Sequence, residues 1–166
     1  MILIGIGANL PSHHGPPQQT CEAALSALSE AGIAVCRHSR WYESPPEPVS
    51  EQPWYVNGVA ELDTEIDPPA LLAALHQIEA HFGRDEAARA EKNAARPLDL
   101  DLLCYHKRLV AAPNRPILPH PRMHRRAFVL LPLRELDPAW RHPGSGAALD
   151  DLIADLPSGS TARPII

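Results

Sequence analysis

Residues 2–8 (ILIGIGA) form a short apolar run with small residues, the pattern of a buried strand. Asn9, Pro11, Ser12 and Gly15 break it, and Pro16-Pro17 stand where the first turn of a helix accepts proline. Behind them Cys21, Ala24, Leu25, Leu28 and Ala31 recur at steps of three and four, and Gly32 ends the pattern. Residues 33–42 (IAVCRHSRWY) predict a second strand, and the proline-rich 43–53 only a loop. Residues 54–64 (WYVNGVAELDT) predict a third strand with Tyr55, Asn57 and Val59 on one face. Asp67 then caps a helix that starts on Pro68-Pro69, carries Leu71, Leu72, Leu75, Ile78 and Phe82 as a stripe, and closes at Gly83. Residues 84–97 are charged and alanine-rich and predict an exposed, mobile loop, with EAARAEKNAA able to hold a helical turn. Residues 98–105 (LDLDLLCY) alternate as a fourth strand. Beyond PILPHPRMH the pattern suggests a short helix near 121–126, an apolar FVLLPL run and a last helix in GAALDDLIADL.

The resulting order, β-α-β-β-α-β, is that of a ferredoxin-like α+β core: an antiparallel sheet with helices, here followed by a C-terminal extension. A chain of 166 residues suits one domain, so residues 1–166 are expected to fold as a single unit. Hydrophobic residues at 45% and charged residues at 21% describe a globular chain. No apolar run approaches the ~20 residues of a membrane span, and MILIGIGANL lacks the basic start and cleavage site of a signal peptide. Cys21, Cys36 and Cys104 are odd in number and lack metal-ligand spacing, which suggests reduced thiols and a cytoplasmic location. The 19 prolines fall mostly between apolar segments and act as punctuation.

Charge changes the picture. The net value of −5 argues against a nucleic acid or an anionic membrane as partner. Yet residues 84–126 alone carry ten basic against five acidic side chains. The positive charge is concentrated in one stretch that flanks the most informative motif, Arg96-Pro97-Leu98-Asp99-Leu100-Asp101-Leu102.

In a strand Asp99 and Asp101 share a face, about 6–7 Å apart along the chain. Paired carboxylates on an inner face repel and are costly to bury unless a divalent cation removes the cost, and hard oxygen donors suit Mg²⁺. The alternative is the solvated face of an ordinary amphipathic strand. Downstream, Pro119-His120-Pro121-Arg122-Met123-His124-Arg125-Arg126-Ala127-Phe128 holds three arginines able to clamp phosphate oxygens, or to form a basic surface helix. Upstream, Ser44-Pro45-Pro46 and Tyr55-Val56-Asn57 could frame a flat heterocycle, or supply a turn and core packing. Gly5-x-Gly7 lacks the third glycine of a dinucleotide loop.

Taken together these pieces resemble the 6-hydroxymethyl-7,8-dihydropterin pyrophosphokinase family. The matching segments are Ile6-Gly7-Ala8-Asn9-Leu10, Trp41 to Pro46, Gln52-Pro53-Trp54-Tyr55-Val56-Asn57, Ile78-Glu79 to Gly83-Arg84, Arg96 to Asp101 and Pro119-His120 to Phe128. The resemblance implies transfer of the β,γ-pyrophosphoryl group of ATP to the pterin hydroxymethyl oxygen, leaving AMP. It implies two Mg²⁺ ions on Asp99 and Asp101, and phosphate contacts from Arg84 and Arg96. It also places Glu79, Leu102, Arg115, His120 and Arg126 around ATP, and Ser44, Pro45, Tyr55, Asn57 and Phe128 around the pterin. The partners expected are these two small molecules, with the chain a monomer.

The chain departs from the family pattern at four places. Asn93-Ala94-Ala95-Arg96 stands where many members carry Trp-Gly-Pro-Arg, and Glu86 where a second arginine is usual, with Arg89 a candidate replacement. Glu47 takes a commonly apolar position, and Pro121 a frequently aromatic one. A diverged, non-catalytic nucleotide- or pterin-binding module is the competing expectation.

Overall fold

The computed structural model describes residues 1–84, 87, 90 and 93–166. The expectation of an exposed loop over 84–97 therefore falls partly, and those for Glu86 and Arg89 wholly, outside the described residues.

The elements run β1 (Ile2–Ala8), α1 (Pro17–Glu30), β2 (Ala34–His38), β3 (Tyr42–Ser44), β4 (Tyr55–Asp63), α2 (Pro68–His81) and β5 (Asp99–Tyr105). A 3₁₀ turn (Met123–Arg125), α3 (Ala127–Leu136), α4 (Leu149–Ala154) and β6 (Arg163–Pro164) follow. Among the described residues the strands form one six-stranded antiparallel sheet, ordered β5-β1-β4-β3-β6, with β2 also paired to β4. The expected β-α-β-β-α-β core is present.

Period-two alternation in β1 divides the interior. Ile2, Ile4, Ile6 and Ala8 face α1 and α2, where they pack with Leu28, Leu71, Leu75, Leu100 and Leu102. Leu3 faces the other way and joins Val59, Leu103, Val129, Leu130 and Leu133 beneath α3. The core helices thus lie on one face, and the C-terminal extension supplies a second apolar layer on the opposite face. On that second face α3 covers only part of the sheet. The part carrying Gly5, Gly7, Asp99 and Asp101 lies open to a cavity.

The chain departs from the predicted elements where side chains replace backbone pairing. Residues 33–42 are not one strand: β2 and β3 pair with successive parts of β4, separated by Ser39–Trp41. The Ser39 hydroxyl accepts from the Val59 amide at 3.1 Å, taking a ladder position that a continuous strand would fill. Trp41 packs over Gly58, where a Cβ would lie 2.7 Å from the indole ring. Because β3 begins at Tyr42, Glu43 and Ser44 belong to the sheet and not to the expected loop. The FVLLPL run is the body of α3, which accommodates Pro132 at the loss of one backbone donor. The short helix expected at 121–126 is the 3₁₀ turn, the last helix is confined to Leu149–Ala154, and β6 carried no sequence signal. No helix among the described residues is long and apolar enough to cross a membrane.

The Trp41–Gly58 contact yields a stability test. Gly58→Ala should lower unfolding free energy by about 1–3 kcal/mol, the usual cost of overpacking, as measured by chemical denaturation. An unchanged midpoint would show that the indole yields at no cost.

Candidate active site

The site is built on the face that alternation leaves polar. Asp99 pairs with Gly7 and Asp101 with Gly5 across β5 and β1, and Gly7 pairs in turn with Asn57 of β4. Two glycines therefore stand between the carboxylates and the amide, and they keep the floor free of side chains. A Cβ on Gly7 would come within 3.1 Å of Asn57 Oδ1, and one on Gly5 within 3.8 Å of Asp101 Cβ. The Gly5-x-Gly7 pair, which is no dinucleotide loop, makes room for a ligand. Above it opens a cavity of about 750 Å³.

Three arginines converge on the carboxylates from separate parts of the chain. Arg84, just past α2, donates to Asp99 Oδ1 and, at 3.1 Å, to Glu79 Oε1. Arg96 donates to Asp99 Oδ2 at 3.1 Å, and Arg126 to Asp101 Oδ2 at 3.3 Å. Arg122 and Arg125 also line the cavity, so the run of three arginines noted in the sequence is gathered at one wall. His120 Nε2 lies 4.0 Å from Asp101 Oδ2.

The opposite wall carries the aromatic and amide groups. Ser44 Oγ accepts from Asn57 Nδ2 at 2.9 Å, which leaves Oδ1 of that amide toward Gly7. Pro45 and Tyr55 also line the cavity, and Phe128 enters it from α3 beside Arg126, whose guanidinium lies 5.3 Å above the Phe128 ring. All five residues expected around a heterocycle are thus brought together.

Sequence reasoning missed the residue that ties the walls together. Asn9 is 2% exposed and spends its side chain on two loops. Nδ2 donates to Gln52 Oε1 and Pro53 O, each at 3.2 Å, and Oδ1 accepts from the Arg96 amide at 2.8 Å. Gln52 itself donates to Asn93 O at 2.7 Å. The signals in the sequence were an amide ending an apolar strand and its place in the matching segment Ile6-Gly7-Ala8-Asn9-Leu10, neither of which named its partners.

The remaining candidates stand apart from the cavity. Glu79 is 1% exposed, and its Oε1 accepts from the Leu100 amide at 2.7 Å as well as from Arg84. Leu102 packs in the apolar layer under α1 and α2, and Arg115 is exposed in the turn before β-bridged Leu118.

Comparison with known proteins gives this geometry a family. A model described as 7,8-dihydro-6-hydroxymethylpterin-pyrophosphokinase (HPPK) matches residues 3–138. The chain belongs to the HPPK family. It is 41% identical over 156 residues to a 2-amino-4-hydroxy-6-hydroxymethyldihydropteridine pyrophosphokinase of Synechocystis sp., covering 91% of this chain and 73% of that one. A protein of the same name from Pseudomonas aeruginosa is 38% identical over 159 residues, covering 94% and 91%. A crystal structure of an HPPK-DHPS in complex with substrates superposes with a TM-score of 0.69 over 93% of this chain. At 13% identity that likeness concerns the fold alone, and this chain spans 42% of that longer one.

Within the HPPK-family cavity the two carboxylates differ in character. Burial pushes the Asp99 carboxyl up, but the charges of Arg96 and Arg84 outweigh it and hold it below the usual carboxylate range. Burial and the neighbouring Asp99 charge push Asp101 up to about 6. His120 is lowered to about 4 by burial and by Arg126 and Arg122, so its ring is neutral at pH 7.

Asp101 sets a pH-dependent test. Its folded-state value exceeds that of the unfolded chain, so the native protein holds the extra proton between about pH 4 and 6. Stability from this group is present below that window and lost as pH rises through it. Asp101→Asn lacks the titration. In metal-free buffer its melting temperature should gain on that of the unaltered chain from pH 4 to 6 and hold the gain above. A gap that narrows with rising pH would contradict the charge repulsion.

Proposed function

We propose that this chain transfers the pyrophosphoryl group of ATP to the hydroxymethyl oxygen of 6-hydroxymethyl-7,8-dihydropterin and releases AMP, a step of folate biosynthesis. The observation that carries this is the position of Asp99 and Asp101. They line one cavity together with Arg84, Arg96, Arg122, Arg125 and Arg126 and with Ser44, Tyr55, Asn57 and Phe128. All of these groups come from one chain, so a monomer suffices.

Asp99 and Asp101 are the residues that would hold Mg²⁺. They are hard oxygen donors on one face, and no cluster of three or more His, Cys, Asp or Glu capable of holding a metal occurs among the described residues. The other ligands would be phosphate oxygens and water. The chemistry a metal would supply there is neutralisation of phosphate charge.

The chain's own residues do the rest. Arg84 and Arg96 hold phosphate oxygens, exchanging a carboxylate partner for a phosphate one of matching geometry. Arg126 faces Asp101 and the Phe128 ring together, so it stands at the junction of the two substrates. Neutral His120 contributes an N–H or a lone pair without charge. Because β5 ends the described sheet, a nucleotide leaving the carboxylates across that edge would run toward His120 and Arg115; Glu79 and Leu102, at 1% and 3% exposure, offer it no open surface. Tyr55 and Phe128 supply faces for a flat ring, and Asn57 an amide edge to read it. The pterin hydroxymethyl oxygen attacks the β-phosphorus, the bond from that phosphorus to the bridging oxygen breaks, and the oxygen departs with AMP. The hydroxyl proton passes to solvent.

The test is direct. Folded protein given ATP, Mg²⁺ and the reduced pterin alcohol should yield AMP and the pterin diphosphate, resolved by chromatography. ADP, or no product, would overturn the reading. Asp99→Ala and Asp101→Ala should each cut turnover at least ~100-fold with the fold retained. Full activity of either variant at saturating Mg²⁺ would remove that residue from the metal role.

A further inference from the structure

Residues 157–165 lie beyond the stretch matched by the family model, which ends at residue 138. The first of them, Pro157, nevertheless lines the cavity. Ser160 is the central contact. Its hydroxyl donates to Glu47 Oε1 at 2.9 Å and accepts from the Ala127 amide at 3.1 Å. Ala127 is the first residue of α3, and the residue before it, Arg126, gives that helix no side-chain cap. Ser160 supplies the missing acceptor from 33 positions away.

The residues on either side of Ala127 are Arg126 and Phe128, and both line the cavity. Glu47, in the proline-rich loop after Ser44, lines it from the facing side. One hydroxyl therefore joins two walls that are remote in sequence. Further along, Arg163 pairs with Glu43 and lies 5.3 Å over the Trp54 ring, while β6 hydrogen-bonds to β3. The Ile165 amide donates to Trp41 O at 2.9 Å. The segment is thus fastened both at α3 and beside Ser44.

We propose that Ser160 is a positioning residue for the pterin end of the site, acting by latching Glu47 to the start of α3. This deepens the pyrophosphokinase reading and rests on it. With the latch made, one Glu47 carboxylate oxygen is held by Ser160 and the backbone before Phe128 is fixed. Without it, the Ala127 amide loses its acceptor, and a carboxylate in a commonly apolar position is released beside the seat of a neutral ring. The hydrogen bonds of Arg84 and Arg96 to Asp99, and of Arg126 to Asp101, involve no residue of the segment. Arg84 and Arg96 should therefore keep their hold on phosphate, and the nucleotide should lose less than the pterin even though Arg126 adjoins the latch.

Calorimetry on the full chain separates the two ligands. Ser160→Ala should raise the Kd for the dihydropterin alcohol about fivefold or more, the worth of a hydrogen bond or two. The Kd for a non-hydrolysable ATP analogue with Mg²⁺ should stay within about twofold by the same reckoning. Ser160→Thr should restore pterin affinity. Glu47→Ala leaves Ser160 to accept from the Ala127 amide and removes the carboxylate, so it should cost the pterin less than Ser160→Ala does, and adding it to Ser160→Ala should recover part of the lost affinity. Equal loss for both ligands would mean a structural role only, and no loss for the pterin would remove the latch altogether; either result overturns the proposal. An unaltered chain that binds ATP but no pterin overturns the pyrophosphokinase reading itself, and the latch with it.

Discussion

Two like charges on one face of one strand set the terms for the rest of this molecule. Asp99 and Asp101 cannot both be ionised in a half-dry cavity without help, and the surrounding structure supplies it. Arg84 and Arg96 secure Asp99 as a carboxylate, whereas Asp101, with Arg126 as its hydrogen-bonded cation, is the one that carries the strain of proximity. Gly5 and Gly7 leave space above the neighbouring strand, so the compensation can come from a ligand as well as from the protein. The site is held ready at an energetic cost that its substrates and metal would relieve.

The elements that were legible in the sequence are those governed by local periodicity. The step of three and four in α1 and α2, and the alternation in β1, β4 and β5, report burial directly, and the paired aspartates follow from the same alternation. The chain was less legible where one side chain stands in for backbone. The Ser39 hydroxyl splits a strand that propensity alone would run unbroken. Pro132 disguises α3 because a helix buried by tertiary packing can tolerate the donor it loses. The strand β6 is two residues long and exists only because β3 offers an edge.

The same distinction holds in the site. Arginines and aspartates can be named from composition and spacing, since their chemistry needs few partners to be recognised. Asn9 and Ser160 act through bonds to residues 43, 87 and 113 positions away, and no local pattern encodes those. Glu47, Arg122 and Arg125 line the same cavity, and no local pattern in the sequence marked Glu47 as facing it.

The apolar layer under α1 and α2 has a consequence beyond stability. Leu100 and Leu102, nearly inaccessible to solvent, belong to the strand that carries the aspartates and point from its opposite face into that layer. Water can therefore screen the arginine cluster only from the cavity side, and the hydrocarbon slab behind the sheet acts as a low-dielectric backing. Arg84, Arg96 and Arg126 are paired with Asp99, Asp101 and Glu79, and Arg122 and Arg125 add positive charge to the same cavity lining. A chain whose overall charge is negative thereby presents a local positive beacon to a passing polyphosphate, with a capture rate that rises as ionic strength falls.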